Sequence, residues 1–230
     1  MVTMSKLVLC ACKRGKKISR QKLSDWLHEL DNQNVAYTLV DDLCGLAAKG
    51  KIELSDVSDG EKTVFIGCQP KAMRNLLKNA GIQVDENKFD FKNAKETPFD
   101  FLKENDFSKG QSKQITYDKD WKPWYPVLDY SLCTSCQKCM NFCLFGVYTL
   151  SDEGKVIVEN PENCKDLCPA CARTCPQGAI VFPKHHDSPI DGGEGEFKDD
   201  AGSLLTQIQK SNDVYQLFGK QKKSFRCFII

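Results

Sequence analysis

The chain has 230 residues, a formal net charge of +1 and 41% hydrophobic residues, which is enough length and apolar content for two modest packed domains. The near-neutral charge gives no sign-based ground for nucleic-acid binding, and no apolar run approaches the roughly 18 residues of a membrane span. Its 13 cysteines fall below the roughly 8 to 10% that marks small secreted disulfide scaffolds, so a soluble protein in a reducing cytoplasm is expected.

Residues 7–12, LVLCAC, are too few for a signal-peptide core and run straight into Lys13–Lys17, KRGKK. That basic stretch reads as a solvated loop. The run Lys6–Leu9 is a candidate strand, and Val35–Val40 and Thr63–Gly67 are β-rich. Between the first two, Ser19 can cap a helix whose Leu23, Trp26, Leu27 and Leu30 recur at i, i+3, i+4 and i+7. After the third, Pro70 suits a first helical position, Met73, Leu76 and Leu77 form an apolar stripe, and Gly81 suits a left-handed stop. Strand–helix–strand connections of this length give parallel strands. Residues 1–86 are therefore expected to form an α/β domain, a small parallel sheet with helices.

Four cysteines fall where such a sheet ends its strands. Cys10 and Cys12 follow the first strand, Cys44 follows the second and Cys68 closes the third. Carboxyl ends of parallel strands share one edge, where ligands bind, so the four thiols are expected to converge on one site. A metal cluster, a dithiol or zinc site, and ordinary buried thiols all remain open readings. The stretches LCAC, VDDLC and FIGCQPKAMRNLL resemble the N-terminal iron-sulfur domain found in the A-type polypeptide of heterodisulfide reductase and its relatives, over roughly residues 5–85. That resemblance implies a [4Fe-4S] cluster on Cys10, Cys12, Cys44 and Cys68, with the helix opened by Gln69–Met73 presenting amides to cluster sulfides.

Residues 87–126 are polar and show no sustained period, so a linker is expected there. It ends in WKPWYPVLDY, where Trp121, Trp124 and Tyr125 alternate with prolines that favour extended chain. These aromatics are expected to strap the linker onto the following module, either excluding water near a cluster or serving as a plain hydrophobic staple.

The densest signal comes next, in CTSCQKCMNFC and CKDLCPACARTCP. They place Cys133, Cys136, Cys139, Cys143, Cys164, Cys168, Cys171 and Cys175 in two runs. The pairs Cys136/Cys168, Cys139/Cys171, Cys143/Cys175 and Gly146/Gly178 are each 32 residues apart, an internal repeat that implies a pseudo-symmetric unit. Zinc sites usually pair C-x-x-C units across a spacer and need no run of four. The runs resemble those of the bacterial two-[4Fe-4S] ferredoxins. The resemblance covers roughly residues 127–183 and implies an α+β ferredoxin-like domain; within it Val156 and Val158 alternate with Lys155, Ile157 and Glu159, as in a strand between the two runs. In that family the fourth cysteine of each run ligates the other cluster. Carried over, one cluster is held by Cys133, Cys136, Cys139 and Cys175, and the second by Cys164, Cys168, Cys171 and Cys143. Two departures stand out: Leu144 replaces the family's proline, and three residues instead of two separate Cys164 from Cys168.

Residues 184–230 read as a mobile acidic loop followed by a terminal helix. His185 and His186 could serve as metal ligands, but adjacent histidines in such a loop are expected to be solvated. Leu204, Leu205, Ile208, Leu217 and Phe218 suggest an amphipathic face that docks on the body, on a partner or on a second copy of the chain. The last four residues, from Cys227, formally match a prenylation box, which the prokaryotic character implied by both resemblances argues against.

No nucleophile elbow, dinucleotide fingerprint or phosphate loop accompanies the cysteines, so no catalytic residue is assigned. The expected role is a non-catalytic electron carrier, or the electron-transfer component of an oxidoreductase, relaying single electrons between redox partner proteins through two or three [4Fe-4S] clusters. The alternatives are a component of a heterodisulfide-reductase-like complex acting on disulfides, and a redox sensor or zinc module.

Overall fold

The computed structural model describes residues 4–50, 62–117 and 120–195. The expectations for residues 196–230, including the terminal helix and Cys227, lie outside the described residues.

The first part alternates strand and helix: β1 (Lys6–Cys10), α1 (Arg20–Asn32), β2 (Tyr37–Val40), α2 (Leu43–Lys49), β3 (Thr63–Gly67), α3 (Pro70–Asn79), β4 (Phe89–Asn93), α4 (Phe101–Glu104) and β5 (Lys113–Ile115). The Ser19 hydroxyl accepts the Lys22 N–H at 3.1 Å to start α1, and Trp26 and Leu30 on its apolar stripe are fully buried. Pro70 opens α3, and Gly81, at φ 86°, supplies the left-handed turn just beyond its end.

The five strands form one parallel sheet in the order β4-β3-β1-β2-β5. Side chains alternate between its faces, as strand geometry requires. Leu7, Leu9, Val64 and Ile66 pack with Trp26, Leu30 and Leu102 on the side of α1 and α4. Val8, Phe65, Phe89 and Phe91 pack with Leu46, Met73 and Leu76 on the side of α2 and α3.

The expected linker at 87–126 needs correction, because it supplies both edge strands. In β4, Phe89 and Phe91 alternate with Asp90 and Lys92, and both rings stack on Phe65, at centroid separations of 5.9 and 5.4 Å. Burying each ring favours folding by about 1.5–3 kcal/mol, which outweighs the polarity of the residues between them. In β5 the exposed Lys113 and Gln114 carry no apolar period and suit a sheet edge.

The second part holds β6 (Val127–Leu128), α5 (Lys138–Phe142), β7 (Tyr148–Leu150), β8 (Val156–Val158), a 3-10 turn at Pro161–Asn163, α6 (Ala170–Thr174) and β9 (Ile180–Val181). Two antiparallel ladders, β6 with β9 and β7 with β8, bracket the two short helices. This part does not keep a core to itself. Tyr125, Val127 and Val181 belong to the cluster that contains Val8, Phe65 and Met73. At the end of α3, the Asn79 side chain imitates a neighbouring strand: its amide donates to Leu128 O at 2.7 Å, and its oxygen accepts the Leu128 N–H at 3.2 Å.

The tail also differs from expectation up to residue 195. Lys184, His185, Ile190 and Asp191 are largely buried, because Lys17 and Asp42 of the first part offer them charged partners. Gly- and acid-rich composition alone carries no sign of that pairing.

Candidate iron-sulfur centres

Two cavities in the second part are each lined by four cysteines. Cys133, Cys136, Cys139 and Cys175 line one, beside Ser135 and Val156. Cys143, Cys164, Cys168 and Cys171 line the other, of about 410 Å³, beside Leu144 and Tyr148. Each run thus sends its last cysteine into the cavity of its twin.

The local cause is a repeated turn. Cys139 and Cys171 sit inside the five-residue helices α5 and α6, and Cys143 and Cys175 terminate them at φ −76°, ψ 112° and φ −76°, ψ 113°. The 32-residue repeat extends to backbone angles elsewhere: Ser135 and Leu167 take φ 52° and 59°, and Gly146 and Gly178 take 65° and 56°. It breaks at Gln137, which takes φ 62°, because its counterpart is Pro169, whose ring forbids a positive φ. The second run reaches its cavity by another route, through the 3-10 turn that ends at Cys164. The longer spacer from Cys164 to Cys168 closes in a turn of its own, with the Cys168 N–H donating to Lys165 O at 3.2 Å.

Burial pushes the Cys139 thiol up to about 11, with Cys133 and Cys175 adding to the shift. Burial also pushes Cys164 up to about 12, assisted by Cys171, Cys168 and Cys143, and Cys171 to about 12. The Tyr148 hydroxyl is buried in the cavity wall beside Cys171 and favours the Cys171 thiolate. Ala179 N–H points to Cys175 Sγ at 3.4 Å, the kind of bond that tunes a cluster potential.

These donor sets fit iron-sulfur clusters: four soft thiolates line each cavity, and in one of them a buried tyrosine hydroxyl lies beside a sulfur. Around one zinc ion, with Zn–S near 2.3 Å, tetrahedral sulfurs would stand about 3.8 Å apart. Among the described residues, only His185, His186 and Asp187 bring three or more ligand atoms within 4.8 Å of one another. No three sulfurs of a quartet lie that close together, which suits a group larger than a single ion.

A third quartet meets at the carboxyl edge of the parallel sheet. Cys10 ends β1, Cys12 follows at φ 45°, Cys44 lies in the first turn of α2 and Cys68 follows β3. From β1 the chain first moves outward to β2, then returns to β3 on the other side, so Cys10 and Cys68 flank the switch point of the sheet. Hydrogen bonding to Cys12, together with burial, raises the Cys10 thiol, while the same bond favours the Cys12 thiolate. Burial raises Cys44, and it pushes Cys68 up to about 12 with a contribution from Cys12. Mutual influence of this kind requires the four groups to be neighbours.

Two buried ion pairs close this edge. Lys184 Nζ lies 2.6 Å from Asp42 Oδ2, and Lys17 Nζ lies 3.1 Å from Asp191 Oδ2 and also donates to His185 O. Burial disfavours the Lys184 charge, but Cys44 and Asp42 outweigh it and hold the ammonium protonated. Asp42 also caps α2 by accepting the Gly45 N–H at 3.2 Å. A Cβ on Gly15 would stand 2.7 Å from Cys12 Sγ and 2.8 Å from Lys184 Cγ, so only glycine allows this approach. Sequence reasoning missed Lys17, Lys184 and Asp191. No local pattern marks a partner more than 140 residues away.

His185, expected to be solvated, is buried. Its ring stacks on His186 at 4.6 Å and leans on Trp124 at 6.2 Å. No helix of the described residues is long and apolar enough to cross a membrane.

Residues 125–194 match the family model for a 4Fe-4S dicluster domain. An uncharacterized ferredoxin of Methanocaldococcus jannaschii is 46% identical over 61 residues, which is 26% of this chain and 41% of that protein. The pyruvate synthase subunit PorD of the same organism is 31% identical over 61 residues, 26% of this chain and 69% of that protein. The chain thus spans less than half of the first of these relatives. From the dicluster match and the coverage of PorD it follows that the chain belongs to the iron-sulfur ferredoxin family, proteins that carry [4Fe-4S] clusters for electron transfer.

Proposed function

We propose that the chain relays single electrons through three [4Fe-4S] clusters. Cys133, Cys136, Cys139 and Cys175 hold one, Cys143, Cys164, Cys168 and Cys171 the second, and Cys10, Cys12, Cys44 and Cys68 the third. The observation that carries this reading is the gathering of twelve free cysteines into three neighbouring quartets. The protein supplies what a cluster needs to exchange electrons at a defined potential: burial, N–H and O–H donors aimed at sulfur, and fixed charges.

The likeness to one component of pyruvate synthase supports a role as the electron-transfer part of a larger redox enzyme. Free thiols and clusters of this kind suit a reducing cytoplasm. Anaerobic iron and sulfide quantitation with electron paramagnetic resonance tests the proposal. About twelve irons per chain are expected, and about eight would remove the N-terminal cluster.

One observation favours a second reading. The Cys10–Cys12 pair, in which Cys12 ionises the more readily, has the character of a nucleophilic dithiol, as a component of a heterodisulfide-reductase-like complex would use. Alkylation of Cys10 or Cys12 by iodoacetamide in iron-replete protein would favour it. Protection of both would exclude it.

A further inference from the structure

We infer that Trp124 and Tyr125 form the electronic bridge between the N-terminal quartet and the cavity lined by Cys143, Cys164, Cys168 and Cys171. The inference rests on the three-cluster reading above.

These two consecutive residues each reach a backbone carbonyl of a different candidate ligand. The Tyr125 hydroxyl donates to Cys44 O at 2.8 Å, and Trp124 Nε1–H makes a long hydrogen bond, 3.5 Å, to Cys168 O. A single peptide unit joins them, so a continuous path of covalent and hydrogen bonds runs from Cys44 to Cys168. Electronic coupling falls off more slowly along bonded atoms than across gaps.

The joint is dry and closely packed. Cys44, Pro123, Trp124, Tyr125, Phe182 and Lys184 meet with no space for a water molecule. Trp124 stacks on Phe182 at 5.3 Å and Tyr125 on Trp121 at 5.8 Å, which fixes both rings. Cys164 packs against the hydrophobic cluster that contains Cys44 and Cys68, so the same two sites also adjoin through apolar contacts.

The placement gives the relay an order. The N-terminal quartet comes first and the Cys143 set second. Cys139 of the remaining set and Cys171 sit on α5 and α6, which pack against each other. That set follows third, ending at the exposed Cys136. In the transfer, one cluster loses one electron and the other gains it. No bond forms or breaks, no proton moves, and neither ring is itself oxidised. The electron enters from an external low-potential one-electron donor.

The test uses the full-length, cluster-loaded protein, reduced under anaerobic conditions with less than one equivalent of photoreduced viologen. Freeze-quenched electron paramagnetic resonance then follows redistribution among the clusters. Trp124→Phe/Tyr125→Phe, which keeps an aromatic ring at each position and removes both donors, is expected to slow exchange between the N-terminal cluster and its neighbour roughly tenfold. Tyr37→Phe, which removes a hydroxyl that bonds Asp31 and none of the bridge, is expected to leave the rate unchanged. Should the double variant lose iron, Tyr125→Phe alone removes one hydroxyl and still breaks the path. Full iron content with an unaltered rate overturns the bridge and leaves the three-cluster reading standing. A wild-type chain with about eight irons overturns that reading itself.

Discussion

The thiols of the ferredoxin part and those of the N-terminal sheet reach similar clustering by opposite means. In the ferredoxin part they lie within two short runs, and a turn repeated at Cys143 and Cys175 exchanges one sulfur between twin cavities. In the sheet, Cys10 and Cys68 stand 58 residues apart and meet only because β1 and β3 are parallel neighbours. The short loops and five-residue helices of the first region have little stability of their own, so a bound group there would organise the chain. In the second region the sheet and its packed helices organise the thiols before any group binds. Coupling of metal binding to folding is therefore expected to be strong in the ferredoxin part and weaker in the sheet.

Substituting Cys171 should break the comparison most visibly. Cys171→Ala is expected to remove about four irons and to lower the melting temperature of the ferredoxin part. Unchanged iron content would show that Cys171 is not a ligand. Cys68→Ala is expected to remove the same number of irons but to leave the dicluster resonance signals and the far-ultraviolet dichroism of the sheet nearly intact. Loss of all iron would mean that the two regions do not load separately.

A smaller effect is expected where the regions join. Asn79→Ala leaves the Leu128 N–H and C=O without their side-chain partner, which should cost about 1–3 kcal/mol in urea unfolding. Iron content should be unchanged, and an equal stability would show that water replaces the amide.

The smallest effect concerns acid. Burial opposes ionisation of Asp129, but hydrogen bonds from Ser131 and the Lys71 ammonium 3.3 Å away prevail and hold its carboxyl below the usual range. A depressed folded pKa stabilises the protein above the unfolded value near 4, and this contribution is lost as pH falls through the folded value. Because the Lys71 side chain is 36% exposed, no more than about 1 kcal/mol is expected. Unfolding followed from pH 6 downward should be shallower for Asp129→Asn. Identical slopes would remove Asp129 from the acid response.

Much of the local framework was legible in the chain. Ser19, Pro70 and Gly81 marked helix ends, and the run Thr63–Gly67 coincides with β3. The 32-residue repeat was visible in the cysteines before it was visible in the angles of Ser135 and Leu167. The strand β4 was hidden in a polar segment, although Phe-Asp-Phe-Lys carries a period of two that could have found it. For β5, a three-residue edge strand with two exposed side chains, no such signal exists.

Capping, turn chemistry and side-chain period act between residues a few positions apart, so the order of residues alone decided α1, β3, α3 and the paired cysteine runs. Which strands became neighbours, and which buried charges closed the sheet edge, depended on groups far apart in the chain. Asp42 meets Lys184, Lys17 meets Asp191, and Tyr125 reaches Cys44 only after the two regions share one hydrophobic core. Burying such groups costs free energy unless each meets its partner, and those partners come together only in the folded tertiary structure.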